Sequence, residues 1–522
     1  MNILRSKLST YIIPIIIIVI YFCLCLATIN DFGVTWDFTD RINAGLWHLR
    51  LPLTVKNYTM LSWGPFSSIP SAVTYLIFFK FSHLFSFDAA YNLFSIIMGT
   101  VGIAVIYLFA KKLFGSLIAL FSALTLALTP RYFGHLHNNM KDVSQAVFFT
   151  ASLYFCYRLI EKPDLKKLFL ATVSFAVAFN TKFNALFVLP IGFAWWFLRR
   201  KIQHRIPLSR HFFLLYLILA PLVSYLLWSL FWLNPWERLL DLISSSVTTT
   251  TAMPVLYFGN LYMSGQNIPW HYPYGMLLAV TPAPIIFFFL IGLFILLKKM
   301  PENSNYLFLF LWFVIPLLRF FKPGMIVIDD IRHFMEVIFP FSIIAGVGFT
   351  HFLKKISHMF HHVSFIFSCV YICYLILQVS SVHPYQTSYF SEWLGGIKGA
   401  QGKFDIEFWA GSYKQAMQYL NQNARNNAKI TVAMAPDIAK LYLRPDLSDT
   451  VNENNLTKAN SQIYNESDYT VILNRESFFN WYNIYPYLKS NKPVYSLDIR
   501  EVPLVYIFQN NRNENNVINK PK

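Results

Sequence analysis

Charge is scarce in this 522-residue chain: only 13% of its residues are charged, while 55% are hydrophobic, with 51 Phe and 30 Tyr. Soluble globular domains carry about 25% charged residues, so that class is excluded. Cysteine is scarce too. Cys23, Cys25, Cys156, Cys369 and Cys373 all lie inside apolar runs. They show neither zinc-ligand spacing nor a disulfide framework, and read as packing residues. Acids are the rarer charge, 26 Asp and Glu against 43 Lys and Arg, for a formal net charge of +17. The excess does not point to nucleic acid, because the cations cluster in short loops between apolar runs, as the positive-inside bias of membrane proteins requires. No internal repeat is visible.

What the chain has is apolar runs long enough to cross about 30 Å of hydrocarbon. Candidate spans are 11–29, 88–110, 116–130, 143–160, 167–180, 184–198, 212–233, 275–297, 305–321, 334–353 and 363–380. The first follows Arg5 and Lys7 but has no small-residue cleavage site after it, so it reads as an uncleaved span. With the N-terminus in the cytoplasm, five basic clusters fall on one side: Lys111–Lys112, Lys162 with Lys166–Lys167, the Arg-Arg-Lys at 199–201, Lys298–Lys299 and Lys354–Lys355. A missed span would invert everything after it. Residues 66–85 hold Pro70 and Lys80 and read as an interfacial helix. Residues 167–198 read as two short spans with Lys182 at their outer tip. The outer loops are then 30–87, 131–142, 181–183, 234–274 and 322–333. Beyond residue 380 polar runs appear ("NQNARNNAK", "DTVNENNLTKANSQ"). Strand-like stretches ("YTVILN", "PLVYIFQ") and a helical stretch near 412–425 accompany them. The expected fold is a polytopic α-helical membrane module, 1–380, with about eleven spans, and a small extracytoplasmic α/β domain, 381–522.

The notable polar residues gather on the outer face. Loop 30–87 brings Asp37, Asp40 and Arg41; loop 131–142 brings Arg131, His135, His137, Lys141 and Asp142; the hairpin tip brings Lys182. "VIDDIRHFMEVIFP" brings Asp329, Asp330, Arg332, His333 and Glu336. No span carries an acid near its middle, as a proton or ion path would require. Acids and cations at one interface suit a reaction between an anionic lipid head and an outer acceptor. Each residue also has a plainer reading. A loop acid is usually solvated, and a His pair without a third ligand is usually structural, so no metal is expected. Lys182 either meets an anion or snorkels. Arg332 and Glu336 form either an i,i+4 pair or part of a substrate site.

These segments resemble the membrane glycosyltransferases of the GT-C fold, particularly the family 39 protein O-mannosyltransferases and lipid A aminoarabinose transferases. "GVTWDFTDRINAG" is similar to the family's first outer loop, "TPRYFGHLHNNMKDVSQAVFFTASLY" to its second, and "AFNTKFNALFVLP" to the Thr-Lys step between two short spans. "YFGNLYMSGQNIPWHYPYGMLLAVTP", "DDIRHFMEVIFP" and "HPYQTSYFSEWLGGIKGAQGKFDIEFWAGSYKQA" resemble a bacterial branch described as family 39-like. The resemblance implies transfer of a sugar from a polyprenyl-phosphate donor to a lipid, glycan or protein acceptor, outside the plasma membrane and with inversion. It implies Asp37 as general base, Asp142 as an orienting acid, and Lys182 as the group steadying the departing lipid phosphate. Arg332, and less so Arg131, would help, with His333 beside them. Such cations make a metal unnecessary. The chain departs from the pattern at Phe38, where the family often has Glu after the first acid; Asp40, three residues on, would share its face in a helix. Two other classes stay open: a lipid-linked sugar transporter, which would need polar residues through the bilayer depth, and a degenerate assembly protein, which would need no convergent acids.

Overall fold

A computed structural model of the chain describes residues 2–49, 63–203, 210–232, 234–247, 252–322, 324–357, 361–452 and 466–510. Part of the expected outer loop 30–87 and most of the polar run at 449–462 lie outside the described residues. The chain forms two compact units. The first comprises Met1–Asp31, Asp40–Met253 and Met263–Trp393; the second comprises Phe32–Thr39, Pro254–Tyr262 and Leu394–Lys522.

The first unit is helical. Its elements are α1 (Asn2–Ala27), α2 (Phe38–His48), α3 (Ile69–Tyr75), α4 (Phe87–Phe114), α5 (Ser116–Ala127), α6 (Pro130–Asn138), α7 (Met140–Glu161) and α8 (Leu165–Phe179). They continue with α9 (Val188–Gln203), α10 (Arg210–Leu227), α11 (Pro235–Val247), α12 (Tyr272–Ala279), α13 (Ala283–Lys299), α14 (Ser304–Leu318), α15 (Ile338–Ser357) and α16 (His361–Ser380). Each apolar segment read from the sequence thus holds a helix. Among the described residues, six are long and apolar enough by length and composition to cross a membrane, or seven if α5 and α6, bent by 64°, make one broken span. The remaining helices are shorter or interrupted. With 15 and 16 residues, α8 and α9 reach about 24 Å, short of the hydrocarbon thickness. Pro282 breaks the expected span 275–297 between α12 and α13.

Packing follows from small residues. α13 packs against α15, α7 against α8, and α5 against α15 and α4. A Cβ on Gly292 would lie 1.8 Å from the Ile344 carbonyl oxygen, and one on Gly348 would lie 2.0 Å from that of Phe288. Only glycine lets these two backbones approach, the usual device where packing has to hold helices together in lipid. α1 and α16 turn much of their apolar surface outward, including Ile13, Ile20, Phe365 and Leu377, and an apolar surface of that extent needs lipid against it.

Two local readings need correction. Residues 131–142, expected as a loop, are α6 and the first turn of α7. Pro130 fits a first helical turn, where its missing N–H costs nothing, and the Asn139 side chain caps α7 by accepting from the Asp142 N–H. Arg332 and Glu336 do not stand one α-helical turn apart. The stretch Arg332–Val337 is a tight 3-10 turn broken at Phe334 (φ −135°), so the four-residue helical register is lost.

The second unit carries a hairpin, β1 (Pro254–Tyr257) and β2 (Asn260–Met263), and a five-stranded sheet. Its strands β3 (Ile430–Val432), β4 (Val451–Asn452), β5 (Tyr469–Leu473), β6 (Tyr495–Ile499) and β7 (Val502–Gln509) lie in the order β4-β3-β5-β7-β6. β3 runs parallel to β4 and β5, while β7 runs antiparallel to β5 and β6. β5 is buried along its whole length, which explains its unbroken apolar character as a central strand. A helix, Tyr413–Asn423, occupies the helical stretch read from the sequence.

Candidate active site

An ion cluster sits at the first turn of α7. Asp142, 2% exposed, accepts from Lys182 Nζ at 2.7 Å and lies 3.5 Å from Arg332 Nε. Arg332 also pairs with Asp329 at 2.7 Å, and Lys182 Nζ donates to the Arg332 carbonyl at 3.3 Å. Local structure puts each group there. Asn139 starts α7 so that Asp142 falls in its first turn, where the helix dipole favours an anion. Lys182 follows α8 in an extended conformation (φ −159°, ψ 141°). Asp329 and Asp330 both take left-handed backbone conformations (φ 54° and 68°), which cost most residues free energy and asparate less than most. Two cations hold that bend, Arg332 on Asp329 and Arg131 on Asp330 at 3.1 Å.

Beside the cluster lies a cavity of 680 Å³. Lys141, Lys182, Arg319 and Lys322 line it, with His333 and Asn184, and no carboxylate is among its described lining residues. The other wall is apolar, with Phe183, Leu186, Phe187, Trp228 and Leu318. Phe183 and Leu186 also line an apolar groove of 500 Å³ formed with Phe175, Phe179, Pro221 and Trp236. A cation-lined chamber and a greasy groove thus share side chains. Glu336, 1% exposed, pairs with Arg319 at 3.3 Å and accepts from Asn184 at 3.3 Å. Trp63 supplies an aromatic face, with the Arg41 guanidinium 3.4 Å and the Lys141 ammonium 5.3 Å from its ring centre.

Of the residues singled out in the sequence, Asp142, Lys182, Arg332 and His333 come together here. Arg131 is fully buried, donates to the Tyr389 carbonyl at 3.0 Å, and stands over the Phe390 ring at 4.9 Å. His135 lies 3.8 Å from Asp330, and His137 bonds the Phe133 carbonyl at 2.8 Å. Asp40 is exposed on the first turn of α2. Asp37, half-buried, belongs to the second unit and immediately precedes α2. Among the described residues no three His, Cys, Asp or Glu side chains are grouped to hold a metal ion. Sequence reasoning missed Arg319, Lys322, Asn184 and Trp63. The one signal for the first two was "RFFK", cations closing an apolar run at the end opposite the basic clusters.

The profile of the dolichyl-phosphate-mannose-protein mannosyltransferases matches residues 70–228, under a third of the chain. No curated protein matches by sequence. Solved structures match over far more. ArnT from Cupriavidus metallidurans in the apo state gives a TM-score of 0.53 at 13% identity, covering 96% of this chain and 98% of that one. The same protein bound to undecaprenyl phosphate gives 0.51 at 14%, covering 98% and 99%. The archaeal oligosaccharyltransferase AglB from Archaeoglobus fulgidus, in complex with an inhibitory peptide and a dolichol-phosphate, gives 0.50 at 10%, covering 88% and 69%. The fold is that of the GT-C membrane glycosyltransferases.

Proposed function

We propose that this GT-C-fold chain is an integral membrane glycosyltransferase that moves a sugar from a polyprenyl-phosphate donor to an acceptor outside the plasma membrane. The observation that carries the reading is the cation-lined cavity sharing Phe183 and Leu186 with an apolar groove. A phosphate ester of a long isoprenoid has that duality, an anionic head on a greasy tail. The ArnT structure with undecaprenyl phosphate supports the same ligand class. A transporter would call for ionisable groups at mid-depth, whereas Asp142 stands in the first turn of α7.

In this reading the acceptor oxygen attacks the anomeric carbon while the bond from that carbon to the phosphate oxygen breaks, so configuration inverts and polyprenyl phosphate departs. Lys182, Arg319 and Lys322 meet the charge that grows on the phosphate, and preorganised cations in a partly dry site are worth more there than in water. Asp142 holds Lys182 and Arg332 in place. Asp37 takes the acceptor's proton, as a hydroxyl attacks poorly unless deprotonated in the same step; the family resemblance assigns it. No metal is needed for the leaving group. The acceptor is a lipid, a glycan or a protein, and Phe38, in place of the family's second acid, bears on how that acceptor is held.

Asp37→Asn should lower turnover per folded molecule by about 10²–10⁴-fold while undecaprenyl phosphate still binds. Full turnover would remove Asp37 from the mechanism. Cysteine labelling at Lys201 and Thr450 should report opposite sides of the membrane; labelling from one side would overturn the topology.

A further inference from the structure

Eight residues of the first outer loop, Phe32–Thr39, fold as part of the second unit, although some 350 residues of sequence separate them from most of it. The attachment is specific. The Val34 N–H donates to the Tyr442 hydroxyl at 2.8 Å, and the Trp36 N–H to the Trp409 carbonyl at 2.8 Å. The Thr39 hydroxyl donates to Asp437 Oδ2 at 2.9 Å. The Trp36 ring lies 6.2 Å from that of Phe478 and 5.8 Å from the Arg475 guanidinium. Gly33 leaves no room for a side chain: a Cβ there would sit 2.6 Å from the Gly411 carbonyl and 3.1 Å from the Tyr442 hydroxyl. The receiving turn is itself fixed, since buried Glu407 accepts from the N–H groups of Trp409 and Ala410 at 2.8 and 3.1 Å.

These contacts bracket Asp37 on both sides. We propose that Thr39, Asp437 and Tyr442 are positioning residues, a clamp by which the second unit sets where the Asp37 carboxylate stands. The inference rests on the assignment of Asp37 as general base. Its physical ground is the steep dependence of proton transfer and attack on geometry, where about 1 Å of misplacement costs about 10²-fold. A free loop would let Asp37 wander, whereas three hydrogen bonds and a wedged tryptophan hold its backbone before and after it.

The test uses the full-length protein in nanodiscs and, as donor probe, the polyprenyl-phosphate-sugar fraction extracted from the host's own membranes, with turnover normalised to folded protein. Thr39→Val and Tyr442→Phe should each lower kcat about 10-fold, the scale of one lost hydrogen bond with the slack it allows, with KM for the lipid donor unchanged within about twofold. Thr39→Ser, which keeps the hydroxyl, should restore kcat. Asp437→Ala should match Thr39→Val, and the double variant should lose no more than either alone, because both cut the same bond. A wild-type kcat in Thr39→Val, an equal loss in Thr39→Ser, or additive losses in the double variant would overturn the clamp. Asp37→Asn run alongside separates the failures. If it is inactive while Thr39→Val is normal, the clamp alone is wrong; if it is fully active, the base assignment falls and the clamp with it.

Discussion

The two ends of α7 carry ion pairs of opposite kinds. At its last turn Glu161 meets Lys112 of α4 at 2.8 Å, with side chains 28% and 35% exposed. At its first turn Asp142 meets Lys182 at 2.7 Å, with side chains 2% and 14% exposed. The distances are alike and the physics is not. The exposed pair lies in high dielectric and contributes about 0–1 kcal/mol. The buried cluster carries a desolvation penalty of several kcal/mol per ion, which only further charges and hydrogen bonds offset. A fold that needed only stability would gain as much from apolar packing there. Cations kept beside a cavity with no carboxylate among its described lining residues are the feature on which the proposed anionic lipid donor rests.

The largest effect expected is from removing the acid that balances those cations. Asp142→Ala leaves Lys182 and Arg332 without their shared counter-charge and should destabilise the protein by about 3–5 kcal/mol, read as a loss of thermal stability in detergent. A change below about 1 kcal/mol would mean that the two ends of α7 are alike after all. Next in size is Lys182→Ala, which should weaken undecaprenyl phosphate binding about 10- to 100-fold by deleting one charge-assisted contact. Unchanged affinity would move the phosphate away from the cluster. At the exposed end, Lys112→Gln should shift stability by less than about 1 kcal/mol and leave undecaprenyl phosphate binding alone; a loss of binding there would contradict a ligand site confined to the Asp142 end. Smallest of all, chelation should leave sugar transfer unchanged, because in the proposed mechanism Lys182, Arg319 and Lys322 serve the leaving group. Loss of transfer on chelation, with recovery on added Mg²⁺ or Mn²⁺, would overturn that.

Hydrophobic run length placed a helix on each of the eleven apolar segments, because a helix is the form in which such a run satisfies its own backbone hydrogen bonds in lipid. "YTVILN" and "PLVYIFQ" were legible as strands β5 and β7 from their β-branched and aromatic content. Lys182 stood out because charge is costly between two short apolar runs, whereas Asp142 was singled out by the family resemblance. Arg319 and Lys322 stood out less, since a cation ending a span also reads as an ordinary interfacial anchor. The i,i+4 option for Arg332 and Glu336 presumed an α-helix, which the kink at Phe334 interrupts.

What the sequence determined by itself was the class of solvent, the placement of helices and the kind of charge kept at one end of them, since burial cost and hydrogen-bond satisfaction act residue by residue. Tertiary structure alone decided which partners met. Glu336 took Arg319, Arg131 was spent on Asp330, and Asp142 came to bridge Lys182 and Arg332. It also gave Phe32–Thr39 to a domain most of which the sequence writes some 350 residues later. Such pairings depend on how distant segments pack, and no local propensity or spacing encodes that.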